Sequence, residues 1–286
     1  MHDSPTTRMA FANSISEAYP DPDVAENFTA SYIHNGFKIS ARKLPISKSS
    51  SINQMSEKLD IPVPEMIFGD NFISIEHIET GWHLKFTAFD ALSRVDKTDK
   101  KMLKVAYSQE WSKNRKESCD GIKEIVKPFD WSYTTDYRGT LVSGKLFELQ
   151  QNDLEPIPIE LLKRPDPILF FEEVVLYESE LDDNGISLLN CKVRVMPDRM
   201  LLLCRFFMRL DNVIIRIRDT RIYIDFNSGK VLRDYIEKEG KFEDVRQSFI
   251  RTGMPYTDVI IAMRDSNQVA PLLTEITHTL ESLILP

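Results

Sequence analysis

Apolar and polar residues alternate through most of this chain, in short stretches set apart by turn residues. After Asn35-Gly36, Phe37 and Ile39 alternate with polar neighbours, the period-2 pattern of a half-buried strand. Ser51 to Leu59 instead places Ile52, Met55 and Leu59 three and four residues apart, which predicts a short helix that Pro62 and Pro64 prevent from continuing. Asn71 to Ile78 and Trp82 to Phe86 flank Thr80-Gly81 and predict a hairpin. A helix-like piece follows over Ala88 to Val95. Trp131 to Tyr137, rich in β-branched and aromatic residues, predicts a further strand.

In the second half, Ile168 to Tyr177 and Ile186 to Met196 flank Asp183-Asn184-Gly185, a strong turn signal between two strands. Leu201 to Leu210, Val213 to Arg218, Arg221 to Phe226 and Val231 to Ile236 are separated by Asp211-Asn212, Asp219-Thr220 and Asn227-Ser228-Gly229, and predict a β-meander. From Ser266 on, Val269, Leu272, Leu273, Ile276, Leu280 and Leu283 follow a helical spacing, so a C-terminal amphipathic helix is expected to pack on the sheet. The pattern gives an α+β fold class, mainly antiparallel sheets with a few packed helices. Residues 1 to 30 hold too few aliphatics to offset the entropy of ordering and read as a disordered tail, leaving 31 to 286 as a single domain.

Charge adds one feature to this pattern. The net charge of −8 argues against a chain devoted to neutralising nucleic-acid phosphates. Its distribution is uneven: Asp166 to Asp183 carries seven acidic residues and no basic one, whereas Lys192 to Arg221 carries eight basic and three acidic. On alternating strands Arg205, Phe207 and Arg209 share one face, and Arg216 and Arg218 share a face of the next strand. Two uses are open for this stripe. The arginines can pair with the acidic run inside one sheet, or part of the stripe, with Asp219 and Arg221, can stay on the surface as a partner site, since guanidinium forks suit carboxylates and interface hot spots. RNA binding through Arg205 to Arg221 is a third possibility, set against the overall acidity and the lack of an RNP1-like sequence.

Candidate chemistry is sparse. Gly139 to Leu146 matches a phosphate-binding loop except at its last place, where Leu146 replaces the Ser or Thr that would hold magnesium, and the residues after it alternate like a strand rather than opening a helix. A turn is expected there. Glu180 to Gly185 begins like a calcium loop, but the twelfth place is Cys191 where a bidentate Glu is required. The histidines show no metal-ligand spacing, and no nucleophile elbow or cysteine signature is present, so neither a metal nor a cofactor is expected. An enzyme with an unrecognised site remains the other alternative. Cys119, Cys191 and Cys204 are too scattered for a disulfide framework, the N-terminus lacks a secretory pattern, and the most apolar window, Met200 to Ile215, is broken by Arg205, Arg209 and Asp211. A cytoplasmic protein, with the nucleus as a second compartment, is expected, with no membrane partner.

Several segments together resemble the TOR signalling pathway regulator family, also called Tap-forty-two-interacting proteins. They are PEMIFGDN (Pro64 to Asn71), AFDAL (Ala88 to Leu92), KPFDWSYTTDYRGT (Lys127 to Thr140), FFEEVVLYESELDDNGIS (Phe170 to Ser187), KVRVM (Lys192 to Met196), LLLCRFFMRLD (Leu201 to Asp211) and RIRDTRIYIDF (Arg216 to Phe226). Arg264 to Asn267 with Val269-Ala270 resembles fungal members in particular. The resemblance implies a non-catalytic regulator in TOR and nutrient signalling that binds the catalytic subunit of type 2A, 4 or 6 phosphatases and is linked to the Tap-forty-two/alpha-four scaffold. It implies phosphatase contact at Asp90 and at Ile217, Asp219 and Arg221, although Asp90 can equally serve as a cap in a short helix.

Overall fold

The computed structural model describes residues 28–97, 129–142, 147–152 and 155–286. Two antiparallel sheets carry the architecture. The smaller has the order β1-β2-β4-β5-β6, formed by β1 (Thr29–His34), β2 (Phe37–Arg42), β4 (Phe72–His77), β5 (Trp82–Thr87) and β6 (Thr140–Leu141). The larger runs β3-β8-β9-β10-β11-β12-β13-β7, with β3 (Met66–Ile67), β7 (Gln150–Gln151), β8 (Phe170–Ser179), β9 (Gly185–Val195), β10 (Arg199–Leu210), β11 (Ile214–Asp225), β12 (Lys230–Lys241) and β13 (Thr274–Ile284). Among the described residues six short helices accompany them: α1 (Ser49–Leu59), α2 (Ala88–Leu92), α3 (Ile159–Leu162), α4 (Phe242–Arg251), α5 (Tyr256–Ala262) and α6 (Ser266–Val269).

Alternation decides which face of the large sheet is buried where. On β10, Met200, Leu202, Cys204, Phe206, Met208 and Leu210 join Trp82, Leu84 and Phe86 of the small sheet in one continuous apolar core. The other residues of β10 face away. There Phe207 meets Ile215 and Ile217 of β11 beneath Val245, Phe249, Val259, Ala262 and Val269 of α4 to α6. At the opposite end of that outer face, Tyr223 and Leu232 pack with Ile157 and, partly buried, Leu162 of α3. The α+β reading and the hairpins thus stand, because polar and apolar side chains were sorted by a sheet with two covered faces.

Three elements differ from the sequence reading. Residues 214–225 form one unbroken strand rather than two strands around an Asp219-Thr220 turn, and Asp219 pairs with Arg205 in register. A charged residue is tolerated mid-strand because its charge is matched across the ladder. Trp131 to Tyr137 turns and then continues without entering a sheet; Tyr133 takes a left-handed φ of 58°. Its aromatic residues were selected for core packing, since Trp131, Tyr133 and Tyr137 are all buried. The C-terminal segment is helical only from Ser266 to Leu272, and Thr274–Ile284 then adds a strand along β12. The edge of the twelve-residue β12 offers ten paired positions there, including a bulge at Glu237/Lys238, and that ladder outweighs the helical spacing of the leucines.

The stretch Glu180 to Gly185 is a hairpin turn with Leu181, Asp182 and Asp183 all left-handed. Of the loop-like Gly139 to Leu146, Thr140–Leu141 is strand β6 and residues 143–146 lie outside the described residues. So do Cys119 and residues 1–27; the last of the expected tail, from Thr29, belongs to β1. Among the described residues no helix is long and apolar enough to cross a membrane.

Candidate partner-binding surfaces

The candidate residues fall on two sides of the large sheet. Ile217, Asp219 and Arg221 share the outer face of β11, while Asp90 sits on α2, which follows β5 of the small sheet directly. Ile217 is buried under α4 to α6. Asp219 is also buried, its carboxylate gripped by both prongs of Arg205 at 2.7 Å each and by Arg221 at 3.1 Å. Burial works against the Arg205 cation, but the hydrogen-bonded Asp219 more than offsets it and raises its pKa. Arg221 reaches on to Asp234 of β12 at 3.5 Å, and Asp234 accepts from His278 of β13 at 2.9 Å. A ladder of paired polar side chains therefore crosses four strands between the two apolar clusters of the outer face. Arg221, at 30% side-chain exposure, is its most open arginine.

Arg205 also ties this ladder to α6. One of its terminal nitrogens reaches the Ser266 hydroxyl at 3.2 Å and the Asn267 side-chain oxygen at 2.8 Å. The turn that holds Asn267 is fixed in its own right, since Asp265 caps α6 by accepting from the Asn267 amide at 2.8 Å.

Asp90 is half-buried. Thr87 is the N-cap of α2 and accepts from the Asp90 amide at 3.2 Å, and the Thr140 hydroxyl donates to the Asp90 carboxylate at 2.7 Å. Capping and partner contact are thus not alternatives here: Thr87 does the capping, and the Asp90 carboxylate answers to Thr140. Four residues on, Arg94 forks onto Asp136 at 2.7 and 3.0 Å. That pair stands at a cleft of about 520 Å³ whose lining includes Asp130, Arg216, Arg218, Glu237 and Glu239. Arg216 meets Glu239 at 3.0 Å and Asp130 at 3.6 Å, and Arg218 meets Glu239 at 2.5 Å. Hydrogen bonding to Asp136 raises the Arg94 pKa.

The stripe of arginines thus finds carboxylates, but not those of the acidic run. Arg205, Arg209, Arg216, Arg218 and Arg221 pair with Asp219, Asp211, Glu239, Glu237 and Asp234, and with Asp130. The acidic run spends itself elsewhere: Asp166 on Arg199, Glu172 on Lys43 and Glu173 on Lys192. Proximity along an antiparallel meander decided the partners, since β10, β11 and β12 are neighbours and β8 is two strands away from β10. The same pairing engages the arginines of the 205–221 stripe that RNA binding would use. Among the described residues no group of three or more His, Cys, Asp or Glu gathers in a form that could hold a metal ion.

Sequence reasoning did not find Arg94, Asp136, Glu237 and Glu239. They come from segments far apart in the chain, and only the (i, i+4) relation of Asp90 to Arg94 was visible in advance.

The described residues thus form an antiparallel two-sheet α+β domain whose candidate surfaces are ion-paired. The chain belongs to the TIP41-like family, whose model matches residues 66–246. It is 42% identical over 251 residues to the "Type 2A phosphatase activator TIP41" of Saccharomyces cerevisiae, covering 82% of this chain and 69% of that protein. It is 43% identical over 210 residues to the human "TIP41-like protein", covering 73% and 76%. The type 2A phosphatase activator of Schizosaccharomyces pombe is 31% identical over 247 residues, covering 86% and 94%.

Proposed function

We propose that this protein is a non-catalytic regulator that binds the catalytic subunit of a type 2A-family phosphatase, of the 2A, 4 or 6 kind, and acts in nutrient signalling through TOR. The observation that carries this reading is membership of a family in which two yeast relatives are named type 2A phosphatase activators. The Tap-forty-two/alpha-four scaffold is a further partner of the proposal, and the cytoplasm, with the nucleus, its compartment. Regulation requires tighter binding to one phosphatase state than to another, because equal affinity for both shifts nothing.

Asp90, Ile217, Asp219 and Arg221 are the proposed contact residues, in two modes. Arg221 and the half-buried Asp90 are open enough to touch a partner, whereas Ile217 and Asp219 act from beneath the surface by holding α4 to α6 and Arg221 in place. The Arg94–Asp136 pair extends the Asp90 patch into the mixed-charge cleft. Capture of the purified catalytic subunit tests the proposal: wild type is expected to bind, with Asp90→Leu and Asp219→Asn each weakening capture. No capture by wild type overturns the function, and undiminished capture by both variants overturns the site.

A further inference from the structure

One side chain touches everything that sets the Asp90 carboxylate. Tyr137 is buried and its ring lies edge-on to Phe86 with centroids 5.8 Å apart. Its hydroxyl is 2.8 Å from the Thr140 hydroxyl and 2.9 Å from the Lys85 carbonyl, and it accepts from the Thr87 amide at 3.4 Å. Thr140 is the residue that donates to Asp90, and Thr87 is the residue that caps its helix. Tyr137 has one hydroxyl hydrogen and two acceptors within reach, the Lys85 carbonyl and the Thr140 oxygen, so that hydrogen is shared between them while the Thr140 hydrogen goes to Asp90. The Tyr137 hydroxyl thereby braces the Thr140 oxygen that donates to Asp90. Burial pushes the Tyr137 phenol well above its ordinary value, so this donor is present across the physiological range.

Tyr137 is also fastened to the other patch. The Thr220 hydroxyl, placed between Asp219 and Arg221 but on the opposite face of β11, donates to the Tyr137 carbonyl at 3.0 Å. Asp90 and the 217–221 stretch, on different sides of the large sheet, thereby hang on the same residue.

We infer that Tyr137 is a positioning residue for partner binding: it aims the Asp90 carboxylate through Thr140 and Thr87 and ties it to β11 through Thr220. The inference rests on the proposed phosphatase-binding role of Asp90. The ring of Tyr137→Phe keeps its contact with Phe86, so the change removes little but the hydroxyl.

The test measures the Kd of the purified catalytic subunit for wild type, Tyr137→Phe, Thr140→Val, Asp90→Asn and the Tyr137→Phe/Asp90→Asn double variant, well below their melting temperatures. Tyr137→Phe and Thr140→Val are expected to weaken binding about five- to tenfold, the span of one buried hydrogen bond. The double variant is expected to be no weaker than Asp90→Asn, because groups that act in one chain do not add. Wild-type Kd at Tyr137→Phe beside a weakened Asp90→Asn overturns the inference alone, as does an additive double variant. Failure of wild type to bind, or undiminished binding by Asp90→Asn, instead overturns the phosphatase or Asp90 assignment and the inference with it. Amide exchange over Ala88–Leu92 supplies a readout that needs no partner: Tyr137→Phe is expected to speed it there while leaving β9 and β10 unchanged, and unchanged exchange in α2 counts against the inference.

Discussion

At the scale of residues, Asp219 shows how a polar position becomes a fixture. Its carboxylate is taken out of water in mid-strand and is matched by Arg205 and Arg221. Removing one member of such a buried set leaves an uncompensated charge, so Asp219→Ala is expected to cost about 3 kcal/mol in urea unfolding. Replacing the pair together, Arg205→Met with Asp219→Leu, is expected to restore most of that loss, because two apolar side chains need no desolvation offset. A double variant as unstable as Asp219→Ala would mean that the pair itself, rather than the orphaned charge, sets the stability.

His83 gives the pH counterpart. Burial lowers its pKa from the ordinary 6.5, with Lys85 and Lys38 adding to the effect and Glu76 opposing it. The unfolded chain then binds the proton first, so this contribution is complete above about pH 6.5 and is lost as pH falls from there through the lowered folded value. Unfolding free energy should fall between pH 7.5 and 5, and His83→Gln should flatten part of that slope. Asp219 was readable in the sequence as a candidate through family resemblance, whereas its burial was not, because nothing local says that Arg205 lies opposite it. The cleft residues Glu237 and Glu239 were harder still, since only the β11–β12 register brings them to Arg216 and Arg218.

At the scale of elements, the patterns that survived folding were the ones with a single competing use. Phe72 to Phe86 alternates and has one turn, and it folds as the expected hairpin. The failures share a cause. In Thr274–Ile284 and in Trp131 to Tyr137 the local pattern described side chains correctly as apolar or aromatic, but the ladder on β12 in one case and the shared core in the other chose the backbone. Tertiary context overrides local preference where a partner strand is long. The helix α6 is a further case: four residues are too few to be stable alone, and its hold on the sheet runs through Arg205 to Ser266 and Asn267. Arg205→Met is therefore expected to raise amide exchange at Gln268 and Val269 while the amides of α4 stay protected. Uniform exchange across α4 to α6 would place the hold of α6 in the apolar cluster around Val269 instead.

At the scale of the whole molecule, the two sheets are joined by their core rather than by a linker. Phe37, Ile75, Trp82 and Phe86 of the small sheet belong to the same buried cluster as Leu176, Val193, Cys204 and Ile224 of the large one. Neither sheet can expose its face without exposing the other's. Trp82 and Trp131 are both buried in that cluster, so in a Trp111→Phe background their fluorescence reports on the small sheet and on the 131–137 segment, while far-UV circular dichroism is dominated by the long strands of the large sheet. In urea the two signals are expected to give one coincident transition. Leu84→Ala, which opens a cavity on the small-sheet side, is expected to cost about 2–5 kcal/mol and to move both signals together. Separated midpoints, or a Leu84→Ala shift seen only by fluorescence, would show that the sheets unfold as independent units. In that case the Tyr137–Thr220 bond would have to join two bodies rather than brace one, and the Asp90 patch could be lost without disturbing Asp219. A single transition instead means that a change on either patch draws on the stability of the whole domain, so partner-binding variants at Asp90 and Asp219 must be compared at equal folded fraction before any loss of capture is assigned to a contact.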